Sequence, residues 1–225
     1  MTTDPKPSLP HALDTRRRAL QQLAWPAALL LAPALSPAQA RANAAASTMR
    51  RLTPAQTEGP YYPVSPPADS DFDLLRNGEL VYARGQACWL QGRVSDPAGT
   101  ALVDALVEIW QCDADGHYRH PADGDRADPA FQAYGRVLTD AQGRYRFRTM
   151  RPAAYSGRTP HIHVKLSRGR RSLLTTQLYV AGDPGNARDM LWRSLRDAAD
   201  REALTLPFRP VADGLLAEFD IVVAA

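Results

Sequence analysis

Only two cysteines, Cys88 and Cys112, occur in 225 residues, so no disulfide framework holds this chain together. An oxidising compartment would permit one bridge between them. Burial as small apolar fillers is the other reading, and spacing alone does not choose. Long apolar runs are equally scarce. The stretch "LAWPAALLLAPAL" is too short to cross a bilayer, which takes about 20 residues of helix. Charge of one sign is also lacking: 27 Lys and Arg stand against 24 Asp and Glu, a net of +3. Lys6, Arg16, Arg17 and Arg18 outweigh Asp4 and Asp14 by +2, which leaves only +1 for residues 41–225. No basic stripe stands out there, which argues against a nucleic-acid partner.

The apolar stretch has a setting of its own. A polar segment ending in "TRRRAL" precedes it, and the small residues "SPAQA" follow. A charged region, a short apolar region and a small-residue cleavage site make a signal peptide, here over residues 1–40. The paired arginines point to the twin-arginine route, which carries folded proteins. The mature chain would start at Arg41 in the periplasm, with no membrane partner. Residues 41–57, rich in Ala, Thr and Gln, read as a flexible or helical lead-in to one domain over 58–225.

From residue 58 the texture is of short strands and many turns, with 19 prolines and 14 glycines in the whole chain. "QACWLQGRVSD" and "LVDALVEIWQCD" flank the turn "DPAGT". "GRVLTDAQGRYRFRTM" reads as a hairpin around "DAQG". "HIHVKLS" and "LLTTQLYVAG" form a pair across "RGRR", and "LLAEFDIVVA" makes a last strand. Strands at this spacing predict an all-β fold, an antiparallel β-sandwich with long loops. One helix is expected over 186–203, where Ala187, Met190, Leu191, Leu195 and Ala198 share a face.

Two of the five histidines, His161 and His163, fall in one predicted strand. Residues i and i+2 of a strand point to the same side, so both imidazoles project together. Two such rings are poor core filler and make half of a metal site for zinc, copper or iron. A pair of solvated surface histidines is the bland alternative. No carboxylate lies nearby to suggest a two-histidine, one-carboxylate iron(II) site. Tyr118 sits in "DADGHYRH", beyond a strand, and Tyr155 lies six residues before His161. A loop tyrosine usually packs on the surface or bonds a backbone carbonyl.

The segments "EGPYYP", "ALVEIWQCDADGHYRH", "LTDAQGRYRFRTMRPAAY", "RTPHIHVKL" and "TTQLYVAGDP" follow one another in this order. Together, over about residues 58–222, they resemble the intradiol ring-cleavage dioxygenases, especially the protocatechuate 3,4-dioxygenase branch. The resemblance implies a β-sandwich and a non-haem Fe(III) held by Tyr118, Tyr155, His161 and His163. It implies catalytic roles for Tyr155, Arg158 and Gln177. It also implies a catechol-type substrate, cleaved with O2 between its hydroxyl-bearing carbons to a cis,cis-muconate. By the same resemblance Tyr155 is the ligand that leaves when substrate arrives. The stretch between Tyr155 and His161 is shorter than in the classical protocatechuate enzymes, which bears on the substrate pocket. A homo-oligomer is allowed; a second chain type is not implied by one sequence.

Tyr61 and Tyr62 in "EGPYYP" are placed near the pocket mouth, or in a structural turn. His117 and His120 flank Tyr118 and read as solvent-facing or supporting residues. Two rival readings stand. A prealbumin-like sandwich that binds and catalyses nothing would explain the strands but not the two tyrosines and the HxH. A zinc hydrolase would use the histidines, but no general-base Glu stands beside them as in HExxH sites.

Overall fold

The computed structural model describes residues 49–225; the leader expected over 1–40 and residues 41–48 lie outside the described residues. The strands are β1 (Arg76–Asn77), β2 (Leu80–Val81), β3 (Ala87–Ser95), β4 (Leu106–Trp110), β5 (Tyr134–Leu138) and β6 (Arg144–Met150). They continue as β7 (His161–Arg168), β8 (Arg171–Val180), β9 (Thr205–Leu206), β10 (Arg209–Val211), β11 (Gly214–Glu218) and β12 (Ile221–Val222). β1 and β2 form a small hairpin. One main sheet is built on β3, paired with β6, β11 and β12; the other runs β5-β4-β7-β8-β9.

The two sheets pack through side chains that alternate inward. Leu90 and Val94 of β3 and Phe147 of β6 are fully buried, as are Val107, Ile109, Ile162, Val164 and Leu166 of the second sheet. This is the expected sandwich, with one refinement. β11 and β12 pair with β3 in parallel, and so does β9 with β8, so the sheets are mixed rather than wholly antiparallel. The expected "LLAEFDIVVA" strand is also two strands, interrupted at Phe219 and Asp220.

The turn at "DAQG" does not close a hairpin. β5 pairs with β4 and β6 pairs with β3, so the chain crosses there from one sheet to the other. Gly143 still takes a left-handed conformation, φ +74°, and its N–H bonds Asp140. Turn chemistry fixes the local reversal, but not which strands then pair. The pair predicted across "RGRR" does form, as β7 and β8.

The single helix expected over 186–203 is three pieces: a 3₁₀ turn (Asn186–Arg188), α1 (Met190–Ser194) and α2 (Ala198–Ala203). Asp189 and Asp197 are extended and cap α1 and α2 with their carboxylates. Two such capping residues inside one apolar pattern break it into two starts. Residues 49–57 hold no helix or strand, and are stitched across the fold by Arg50 N to Pro97 O, Thr53 N to Val222 O and Gln56 N to Thr175 O. Among the described residues no helix is long and apolar enough to cross a membrane.

Gly92 is the tightest point between strands. A Cβ there would lie 1.8 Å from the Phe219 carbonyl oxygen, which also accepts the Tyr145 hydroxyl at 2.6 Å. Gly92→Ala is expected to cost about 3 kcal/mol, because backbone rather than a flexible side chain must move. Thermal unfolding should show it as a fall of roughly 10 °C. An unchanged midpoint would mean that the Phe219 region yields freely.

Candidate metal centre

β7 is central in its sheet, with Ile162 and Val164 facing the sandwich core and His161 and His163 facing outward. That outer face is nevertheless closed: both histidines are 1% exposed. The cover is the segment 56–62. Gln177 of β8 donates to Thr57 O at 2.9 Å, and Lys165 of β7 pairs with Glu58 at 2.7 Å. Lys165 also lies 3.9 Å over the Tyr62 ring, whose hydroxyl donates to buried Glu108 at 2.8 Å. Gly59 crosses so near that a Cβ would touch His163 Cε1 at 3.4 Å.

Under this strap the nitrogen and oxygen donors converge. His161 Nε2 is 3.1 Å from His163 Nε2, which is 3.2 Å from Tyr118 Oη. His161 Nδ1 donates to Thr159 O at 2.7 Å, which leaves the Nε2 lone pair free. Trp110, opposite His163 in the β4–β7 register, stacks on it at 4.7 Å and 8°. Tyr118 is carried by the loop after β4, where Asp113 accepts from the N–H groups of Asp115, His117 and Asp128. Gly116 in that loop has φ +84°, and a Cβ there would meet Ala154 O at 2.8 Å, so only glycine lets the Tyr118 and Tyr155 loops approach.

Tyr155 opens a tight turn. Arg158 N donates to Tyr155 O at 2.6 Å, and both central residues have positive φ (Ser156 +27°, Gly157 +77°), as in a type I′ turn. The Tyr155 ring lies edge-on to Tyr118 at 5.0 Å and 5.5 Å from His161. All four predicted ligands are thus brought together. Arg158 and Gln177 join them: Arg158 Nη2 donates to Gln177 Oε1 at 2.7 Å.

Asp189 was not visible in the sequence as a site residue. Its Oδ2 accepts from Arg158 Nε at 2.7 Å and from Thr159 N at 3.0 Å, while its Oδ1 caps α1. The only sequence signal was an Asp standing before an apolar helical run. His117 and His120 make their contacts within the Tyr118 loop and its neighbours. His120 accepts from Ala122 N and meets the edge of Tyr61, and His117 Nδ1 lies 3.6 Å from Asp123. Tyr61 stacks on Tyr118 at 4.5 Å and Tyr62 bonds Glu108, so both tie the strap to the site. Cys88 and Cys112 are free, buried thiols, one in β3 and the other just beyond β4, and burial pushes both up to about 12.

Burial sets the protonation of the site. It pushes His161 down to about 4 and His163 well below its ordinary value, so both rings are neutral at pH 7. It raises Tyr118 well above 10, and raises Tyr155 too, against the pull of the Arg158 charge. For Arg158, burial opposes the charge, but the Asp189 carboxylate more than offsets this and holds the guanidinium ionised. Facing Nε2 atoms need a shared proton or a cation between them, and His163 Nδ1 has no partner of its own. A cation there would also favour ionised phenol, which burial alone opposes. Among the described residues no group of three or more His, Cys, Asp or Glu could hold a metal; the further oxygen donors beside the two histidines are those of Tyr118 and Tyr155. Two neutral nitrogens and two phenol oxygens fit a hard, highly charged cation. A cavity of about 450 Å³ opens beside the donors, lined by Tyr155, Ser156, Arg158, Thr159, Asp183 and Arg188.

A family model described as "Dioxygenase" matches residues 57–224. The chain belongs to the intradiol ring-cleavage dioxygenases. This intradiol dioxygenase is 39% identical over 171 residues to the protocatechuate 3,4-dioxygenase beta chain of Burkholderia cepacia, covering 69% of this chain and 72% of that one. It is 29% identical over 194 residues to the hydroxyquinol 1,2-dioxygenase of Rhodococcus opacus, covering 74% and 62%. The match thus spans less than two thirds of that relative's length. The dioxygenase domain of a dioxygenase–carbohydrate-binding fusion from Streptomyces sp. SirexAA-E superposes with TM-score 0.61 at 33% identity, over 76% of this chain and 97% of that one. The family as a whole uses non-haem iron.

Proposed function

We propose that this intradiol dioxygenase holds one Fe(III) through Tyr118, Tyr155, His161 and His163. In this reading it cleaves a catechol with O2 between the hydroxyl-bearing carbons to a cis,cis-muconate-type product. The observation that carries the reading is the convergence of His161 Nε2, His163 Nε2 and Tyr118 Oη within 3.1–3.2 Å contacts under a closed strap. Ferric iron, when bound, supplies the Lewis acidity that lets both catechol hydroxyls ionise and makes the ring reactive toward O2.

The remaining work falls to the chain. Tyr155 is half-buried and lines the open cavity, so it is the ligand free to swing aside and take a substrate proton on Oη. Tyr118, 2% exposed and stacked under Tyr61, stays in place. Arg158 lines the same cavity with its charge held by Asp189, aimed where negative charge grows on the ring. Gln177 braces that guanidinium, and the strap excludes water. A binding module without chemistry leaves such a buried set of donors unexplained.

The test is O2 uptake by iron-loaded protein given catechol, protocatechuate or hydroxyquinol, with the product identified. A ring-opened product carrying both oxygen atoms is expected from at least one. Colourless protein with stoichiometric zinc after growth in iron-replete medium would sink the reading.

We also propose twin-arginine export to the periplasm, on the strength of "TRRRAL" before the apolar stretch. Changing Arg16, Arg17 and Arg18 together to Lys should strand the precursor in the cytoplasm. Wild-type amounts in a periplasmic fraction would refute that route.

A further inference from the structure

One buried carboxylate near the donors takes no part in the proposed chemistry. Glu108 stands in the middle of β4, on the sheet face that carries His161 and His163, and is 6% exposed. Its cross-strand neighbours are two cations, Arg136 on β5 and Lys165 on β7. Neither forms an ion pair with it among the described residues, and Lys165 turns to Glu58 instead. Two neutral hydroxyls hold the carboxylate: Tyr62 and Tyr134 both donate to Oε1, at 2.8 and 2.5 Å. A buried carboxylate needs such donors, and the hydroxyls in turn are fixed by it.

These two tyrosines lead to two of the proposed metal ligands by separate paths. Tyr62 follows Tyr61 in the strap, and the Tyr61 ring stacks on Tyr118 at 4.5 Å. Tyr62 also meets Trp110 edge-on at 5.0 Å, and Tyr134 is the partner of Trp110 in the β4–β5 register. Trp110 lies flat on His163. The strap bonds at Thr57 and Glu58 both precede Gly59, which takes a left-handed conformation at φ +74°. Beyond Gly59, the hydrogen bond that holds residues 60–62 among the described residues is the one from Tyr62 to Glu108.

We infer that Glu108 is a positioning residue for the metal centre, a buried carboxylate that acts on Tyr118 and His163 through the Tyr62 and Tyr134 hydroxyls. It touches neither ligand, and its effect passes through the Tyr61 and Trp110 rings. The inference rests on the reading of Tyr118 and His163 as iron ligands.

Three variants test it. Glu108→Leu removes the acceptor, Glu108→Gln retains a carbonyl oxygen for the hydroxyls, and Tyr62→Phe removes the strap's half of the bond. In metal-free protein, a glutamate-specific protease should cut after Glu58 about tenfold faster in Glu108→Leu and Tyr62→Phe, as for a lost hydrogen bond to a charged group. The cut after Glu202 in α2 should keep its rate, and Glu108→Gln should behave as wild type at both. With iron bound, Glu108→Leu and Tyr62→Phe should shift the tyrosinate band and weaken iron affinity about tenfold, the usual scale for a residue that orients a ligand. Glu108→Gln should do neither. If Glu108→Leu does not fold, Tyr62→Phe decides alone. Cuts accelerated equally at Glu58 and Glu202 would make the bond a general stabiliser and overturn the inference. A wild-type band and affinity in the folded variants would overturn it as well. Failure of the dioxygenase reading would show separately, in the oxygen-uptake measurement, because the cut after Glu58 is read without metal.

Discussion

His163→Ala is expected to abolish iron binding, the visible band and ring cleavage together. His163 touches both His161 and Tyr118, so its loss removes one donor and the partner that spaces the other two. The buried imidazole also fills space against Trp110 and beneath Gly59, so alanine leaves a void that costs about 2–4 kcal/mol even without metal. Loss of bound metal removes its own contribution to native stability. Metal analysis, the visible spectrum and circular dichroism should be read on one sample. A folded variant with no iron and no colour is the expected result. Wild-type iron content in that variant would show that His163 is not a ligand.

Tyr155→Phe separates the two tyrosines. The variant should retain iron and a charge-transfer band from Tyr118, because Tyr118 is held by its loop and by Tyr61, and phenylalanine at 155 keeps the edge-on ring contact. Substrate binding should slow by about 10²–10⁴, the usual cost of losing a positioned proton acceptor. Tyr118→Phe should instead alter the colour of the substrate complex, where Tyr118 is the remaining tyrosinate. Spectra of both variants before and after anaerobic catechol decide the matter. Wild-type binding kinetics in Tyr155→Phe would remove its assigned role, and unaltered spectra in both would mean neither tyrosine is a ligand.

Much of this arrangement is legible in the residues themselves. The alternation of a strand puts His161 and His163 on one face whatever the rest of the chain does. The strands and their apolar alternation likewise carried the sandwich. Tyr118 and Tyr155 were reachable only through the family resemblance, because loop residues have no periodicity that assigns them a direction. Asp189 was hidden for another reason. Its two oxygens serve α1 and Arg158, and the second partner lies 31 residues away. The strap was invisible on the same grounds: Gln177 finds Thr57 across 120 positions, and Tyr62 finds Glu108 across 46. The broken helix and the cross-sheet turn were misread because local patterns were strong while the competing tertiary pairings were remote.

The stitching of residues 49–62 has a consequence for the order of events during synthesis. Thr53 donates to Val222 O, and Val222 N returns a bond to Thr53 Oγ1. β11 and β12 are in turn parallel neighbours of β3. Thr53 therefore precedes its partner Val222 by 169 positions, and the segment that leads into the strap is secured at this end only once residue 222 has been made. Such distant pairings make assembly slow relative to a protein of local contacts. Until residue 222 has been made, the lead-in to the strap lacks its anchor on β12, while the partners that hold the strap itself, Gln177 for Thr57 and Lys165 for Glu58, are already in the chain.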